Sequence, residues 1–202
     1  MHCYILFALI AVAAASSDVI YDGPCPSIRP QQNFDFASYQ GTWYELARYP
    51  NAGEEGTKGK CTIAEYFVHG YDAGRVKNSH VIDGVRSFIE GDLTLVGPAR
   101  IRLTYTFDGL SKYSYLTVLD TDYTNYAIGY SCKYFPDGNN HQVFSWIKSR
   151  SPTMDEHSRA IVDDYLRKST ILDANKYVAN DFSTAACQTY IFRSITEFLK
   201  DN

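Results

Sequence analysis

The chain has 202 residues and a formal net charge of −4, with 19 Lys and Arg against 23 Asp and Glu. No lysine or arginine cluster reaches the density of a nucleic-acid-binding surface, so a nucleic-acid partner is not expected. The 17 Tyr, 11 Phe and 2 Trp favour strands with one face in a core or a cavity.

The N-terminus contains an uninterrupted apolar run from Tyr4 to Ala15 that is too short to span a bilayer. Small residues follow it, which predicts a secretory signal peptide over residues 1–17. No later stretch is long and apolar enough to cross a membrane, so we expect a secreted, soluble protein. The expected organisation is one domain over residues 18–188 and an amphipathic tail over residues 189–202.

Cysteine usage fits an oxidising compartment. Cys3 leaves with the signal peptide, and Cys25, Cys61, Cys132 and Cys187 remain, without a C-x-x-C pair. Four dispersed cysteines in a secreted chain predict two disulfides rather than a metal site or a redox motif, and the spacing leaves all three pairings open.

After the predicted signal peptide, the sequence predicts an irregular arm, a short turn and then a strand. A proline-rich arm over residues 18–32 excludes regular helix and central strand, and the segment Asn33–Phe36 suits a short 3₁₀ turn. From Gly41 to Tyr49 the residues alternate, which predicts Trp43, Glu45 and Ala47 on one strand face and Tyr44, Leu46 and Arg48 on the other. A rigid indole such as Trp43 can fill the closed end of a barrel.

Short β-rich segments then recur, with turn sequences such as Asp83-Gly84 and Asp108-Gly109 between most of them. Eight such segments predict an all-β fold, an eight-stranded antiparallel up-and-down barrel just wide enough for one small ligand. With the first strand included, the predicted strands cover residues 41–49, 62–68, 75–82, 85–95, 100–107, 112–120, 126–135 and 141–150.

The pattern changes after the last strand. Residues 155–168 have Ile161, Tyr165 and Leu166 at helical spacing, which predicts one α-helix packed on the barrel. A short strand is expected around residues 176–178. The tail places Ile191, Ile195, Phe198 and Leu199 on one helical face, either as a packed or partner-binding helix or as a frayed end.

The segment from Pro50 to Lys60 is a long connection with three glycines. A connection of this length inside a compact domain is often functional, and here it would lie over the open end of the barrel. A tolerated surface insertion is the equally weighted alternative.

Three motifs resemble the signatures of the lipocalins: Gly41-x-Trp43, Thr121-Asp122-Tyr123 and Arg150 at the end of the last strand. The chain looks most similar to the insect bilin-binding lipocalins, the insecticyanin and bilin-binding protein group, which is related to apolipoprotein D. Six stretches carry this closer likeness, at residues 21–26, 44–51, 59–61, 128–134, 149–151 and 181–187.

The resemblance implies a fold, a ligand and a set of residues. Gly41, Trp43 and Arg150 would form the barrel floor, and the disulfides would join Cys25 to Cys132 and Cys61 to Cys187. The expected ligand is biliverdin, a linear tetrapyrrole bound non-covalently without a metal, in a blue-green pigment protein of haemolymph or epidermis that could form homo-oligomers. The ligand-binding positions implied are Asn78, His80, Ile89, Tyr105, Phe107, Leu110, Lys112, Ser114, Leu116, Tyr130, Lys133, Gln142, Phe144 and Trp146.

Residue alternation supports part of this set, because pairs such as Tyr105 with Phe107 share a strand face. Asn78 and His80 are polar residues on an expected inward face. They are interpreted as hydrogen-bond partners of the tetrapyrrole, and the alternative is a satisfied core histidine or a shifted register.

Two other carrier functions stay open. The barrel could bind a fatty acid, carotenoid, retinoid or odorant, or it could bind haem with His80 as the iron ligand. An enzyme is not expected, because the sequence has no G-x-S-x-G or H-x-x-x-H motif and pairing of the cysteines would leave no thiolate nucleophile.

Overall fold

A computed structural model describes residues 18–54 and 56–195 of the chain. The predicted signal peptide lies outside the described residues, as do residues 196–202 of the predicted tail. The first nine strands are β1 (Ile20–Asp22), β2 (Gly41–Arg48), β3 (Lys60–His69), β4 (Ala73–Ile82), β5 (Val85–Gly97), β6 (Arg100–Phe107), β7 (Leu110–Thr121), β8 (Tyr126–Phe135) and β9 (Asn140–Ser149).

Strands β2 to β9 form a closed antiparallel barrel, because each pairs with the next and β2 also pairs with β9. The eight predicted strands are confirmed within a few residues at their ends. The Asp-Gly sequences that predicted the strand boundaries form tight turns in the structure. Asp83 and Gly84 have φ of 48° and 76°, and Asp108 and Gly109 have φ of 47° and 79°. Two consecutive positive φ angles define the turn type whose twist matches a hairpin.

The barrel strands bury one hydrophobic cluster on each face. The inner cluster contains Trp43, Tyr66 and Ile101, and it fills the closed end of the barrel. The outer cluster contains Ile128 and Val143, which pack against helix α2.

Within the described residues, three α-helices accompany the barrel: α1 (Phe36–Tyr39), α2 (Glu156–Lys168) and α3 (Thr184–Cys187). Helix α2 confirms the predicted packed helix. Its N-cap Asp155 accepts a hydrogen bond from the Ser158 backbone N–H at 2.9 Å, and Val162 is buried in the outer cluster. The turn expected at Asn33–Phe36 is instead a single α-helical turn that starts at Phe36, because Asp35 rather than Asn33 caps it.

The C-terminal segment differs from the sequence prediction. Up to residue 195, two short strands follow α2, namely β10 (Val178–Ala179), which pairs with β2, and β11 (Ile191–Ser194), which pairs in parallel with β5. The helical interpretation of the tail is therefore wrong for residues 191–194, and the sheet continues beyond the expected domain end at residue 188.

Strand β11 forms because part of β5 has an edge that no other barrel strand pairs with. Strand β6 pairs with β5 only over Asp92–Gly97, and β11 occupies the edge that this leaves at Val85–Phe88. Ile195 follows directly, whereas Phe198 and Leu199 lie outside the described residues.

In the part of the chain that the structure describes, two disulfides join distant segments. They connect Cys25 to Cys132 and Cys61 to Cys187, which is the pairing that the resemblance implies. The second bond ties β3 to the end of α3, four residues before β11. Within the ranges that the structure describes, none of the helices has the length and apolar character needed to cross a membrane.

Candidate ligand-binding site

The floor of the barrel is built around Trp43, which is fully buried and donates its indole N–H to the Tyr39 carbonyl at 2.8 Å. The Arg150 guanidinium lies 3.7 Å from the centre of the indole ring. Its Nε and Nη1 donate to the backbone carbonyls of Tyr123 and Thr42, both at 2.9 Å. Gly41 has φ of +94°, and a Cβ there would lie 3.3 Å from Arg150 Nη1.

A cavity of about 460 Å³ lies above this floor, inside the barrel. Its size falls in the range of small-molecule sites, roughly 300–1,000 Å³. Eight of the predicted ligand-binding residues line it: Asn78, His80, Ile89, Tyr105, Ser114, Leu116, Phe144 and Trp146.

Aromatic and polar groups alternate on the cavity wall. The Phe144 and Trp146 rings stack with centroids 6.3 Å apart and an interplanar angle of 15°. Asn78 Nδ2 donates to the Tyr105 hydroxyl at 3.0 Å. Burial raises the pKa of Tyr105, which keeps this hydroxyl protonated and able to donate to a ligand.

Five other predicted residues lie away from the cavity lining. Phe107, Leu110 and Lys112 belong to the β6–β7 hairpin, where Leu110 is 73% exposed. Lys133 and Gln142 are paired between β8 and β9, and Gln142 is also paired with Ile20 of the N-terminal arm. These residues continue the barrel wall beyond the cavity that the structure encloses.

The prediction that Tyr130 points into the cavity is wrong. The structure places it in the outer cluster beneath α2, whereas its neighbour Ser131 lines the cavity. Because successive strand residues point to opposite faces, the one-residue difference moves the tyrosine from the ligand side to the helix side.

Sequence reasoning missed the charged part of the cavity. Glu45, Arg48, Glu54 and Lys148 all line it, together with the neutral Tyr66. Alternation offered a signal for two of them, since Glu45 lies two residues after Trp43 and Lys148 two residues before Arg150. The expected outward direction of Arg48 is wrong, because the β2–β9 pairing shifts register between Glu45 and Ala47. Such a bulge reverses the faces of the residues that follow it.

Arg48 is only 2% exposed and contacts both glutamates of this group. Its Nη1 donates to Glu45 at 3.1 Å, its Nη2 donates to the Gly56 carbonyl at 3.0 Å, and Glu54 lies 3.6 Å from its Nε. Burial, with a contribution from Glu54, raises the pKa of Glu45 from 4.5 to about 8 against the opposing effect of Arg48. The long connection after β2 therefore contributes to the site, since Glu54 also accepts from Trp146 Nε1 at 3.2 Å.

A closed antiparallel barrel of eight strands, sealed at one end and enclosing an aromatic-lined cavity, defines a carrier of small hydrophobic ligands. The chain belongs to the lipocalin family: the model of the lipocalin and cytosolic fatty-acid binding protein family matches residues 40–180.

Individual relatives sharpen this placement. The bilin-binding protein of Pieris brassicae is 44% identical over 91% of this chain and 97% of its own length. Insecticyanin-B of Manduca sexta is 39% identical over 97% of this chain and 98% of its own length. The solved structure of Manduca sexta insecticyanin superimposes with a TM-score of 0.83 at 38% identity, covering 88% of this chain and 96% of that one.

Proposed function

We propose that this protein is a secreted lipocalin that binds a linear tetrapyrrole, biliverdin, non-covalently in its barrel cavity and serves as a blue-green pigment carrier. The observation that carries the proposal is the cavity wall, where the Phe144, Trp146 and Tyr105 rings and the Asn78 and His80 side chains all line one enclosed space. Aromatic faces suit conjugated pyrrole rings, and the polar groups suit the pyrrole nitrogens and carbonyl oxygens.

Two further observations support the proposal. A relative at 44% identity is named for binding bilin. The two disulfides fit an extracellular location, because such bonds persist in oxidising compartments. Binding rather than catalysis would then be the activity of the site, with burial of apolar ligand surface as the main driving force.

Titration of the purified, ligand-free protein with biliverdin tests the proposal. We expect one saturable site and a shifted red absorption band. Ser114→Trp should weaken binding by about ten-fold or more, because Ser114 lines the cavity and an indole there would occupy ligand space. Tyr113→Trp is the matched control, since Tyr113 is 67% exposed on the same strand.

Two outcomes would contradict the proposal. If biliverdin does not bind while a fatty acid, retinoid, carotenoid or odorant saturates the protein, the barrel is a carrier of a different ligand. If haem binds instead with a sharp Soret band that His80→Ala abolishes, the haem interpretation of His80 replaces it.

A further inference from the structure

The layer directly above the floor contains a lysine that the fold does not neutralise. Lys148 is 5% exposed and lines the cavity, paired across β2–β9 with Glu45. Within residues 18–54 and 56–195, no carboxylate oxygen lies within 4 Å of its Nζ, and Glu45 instead bonds to Arg48. A buried ammonium is costly unless polar groups compensate it.

Tyr66 is the hydrogen-bond partner of this lysine. Lys148 Nζ donates to the Tyr66 hydroxyl at 3.0 Å and lies 5.2 Å from the centre of its ring. An ammonium has three donors, so this bond uses one of them. Burial raises the pKa of Tyr66, which keeps its hydroxyl proton in place as a further donor.

Arg48 is the other buried cation of the cavity, but its Nη donors are already used within the chain. Its Nη1 and Nη2 donate to Glu45 and to the carbonyls of Gly56 and Gly59. These partners are all supplied by the chain. The donors with room for a ligand atom at the closed end are therefore those of Lys148 and Tyr66.

We infer that Lys148 and Tyr66 donate hydrogen bonds to an oxygen atom of the ligand at the closed end of the cavity, which we call the acceptor site because the bound oxygen accepts them. That oxygen is a carbonyl or carboxylate oxygen at the leading end of an elongated apolar ligand. In biliverdin that oxygen is a lactam carbonyl of a terminal ring or a propionate carboxylate. The choice of biliverdin rests on the proposed function, whereas the acceptor chemistry does not.

Binding of biliverdin to Lys148→Met protein tests the inference. Methionine keeps an unbranched stem like that of lysine, one atom shorter and without its donors, and replacing a buried charge by an apolar side chain is often neutral for folding. Lys168→Met is the matched control, because Lys168 lies on α2 and its side chain is 67% exposed. We expect about ten-fold weaker binding for Lys148→Met, a smaller loss for Tyr66→Phe and an unchanged affinity for Lys168→Met.

The dimethyl ester of biliverdin separates the two sources of the oxygen. It blocks the propionates and keeps both lactams. An ester that retains the Lys148 dependence assigns the lactam carbonyl, and an ester that loses it assigns the carboxylate. Equal biliverdin affinities of the Lys148→Met and Lys168→Met proteins would overturn the inference while leaving the proposed function intact.

A second ligand pair keeps the test independent of the tetrapyrrole. If wild-type protein fails to bind biliverdin, oleate and oleyl alcohol take its place, since they differ only at the oxygen-bearing end. We expect about ten-fold preference for oleate that Lys148→Met abolishes. Equal affinity of wild-type protein for the two would overturn the acceptor site.

Discussion

The floor of the barrel and the cavity above it use polar groups in opposite ways. At the floor, the Trp43 indole and the Arg150 guanidinium donate to backbone carbonyls of the chain itself. In the cavity, Thr62 Oγ1 is a buried atom without a hydrogen-bond partner among the described residues. Lys148 Nζ uses one of its three donors, on the Tyr66 hydroxyl. The donors of Trp43 and Arg150 are therefore satisfied within the fold, whereas the cavity keeps polar groups that a ligand can satisfy.

The largest expected difference between the floor and the cavity comes from replacing Trp43 and Trp146 in turn. Trp43→Ala should lower the free energy of unfolding by about 4 kcal/mol, because it removes a fully buried indole from a packed core. Trp146→Ala should cost much less, since Trp146 borders the cavity, yet it should weaken biliverdin binding. Denaturant unfolding and ligand titration of both variants provide the measurement. Equal loss of stability in the two would remove the distinction between floor and cavity.

The next effect concerns the Cys61–Cys187 bond. Replacement of both cysteines by serine should lower the free energy of unfolding by about 3 kcal/mol, because the bond closes a sequence separation of 126 residues. Faster ligand release should accompany this loss, since β11 and Ile195 follow Cys187 and Ile195 lines the cavity. Unfolding in denaturant and stopped-flow release of biliverdin measure the two effects, and unchanged release would show that the segment after Cys187 does not retain ligand.

A smaller effect comes from Glu45. Its pKa is about 8 in the folded protein against an ordinary value of 4.5, so its contribution to stability is complete below about pH 4.5 and is lost as pH rises through about 8. Glu45→Gln should therefore flatten the decline in stability over this window, because a glutamine side chain has no proton to lose in either state. Unfolding free energies measured at several pH values test this, and parallel profiles for the two proteins would contradict the burial of an ionisable Glu45 carboxyl.

The sequence was sufficient for the parts of the molecule that depend on local chemistry. Strand alternation, the Asp-Gly turns and the Asp155 cap each act over a few residues, so the strands and α2 could be placed. The inward direction of Arg48 depends on a bulge between β2 and β9, and β11 depends on an edge of β5 that β6 leaves unpaired. Both arise from pairing between distant segments, which residue patterns do not encode.

The candidate site shows the same limit. Residues on regular strands, such as Tyr105 and Trp146, could be assigned to the cavity, whereas Tyr130 was assigned to the wrong face by one residue. Lys148 was missed because a lysine inside a barrel is unusual on composition alone. Its place two residues before Arg150 was the available signal.

The visible absorption spectrum of the protein purified from its native source shows whether a linear tetrapyrrole is the bound ligand. We expect broad bands in the red and near-ultraviolet, which indicate such a ligand. A sharp Soret band or a colourless protein would contradict a tetrapyrrole ligand, the first in favour of haem and the second in favour of a lipid or odorant ligand.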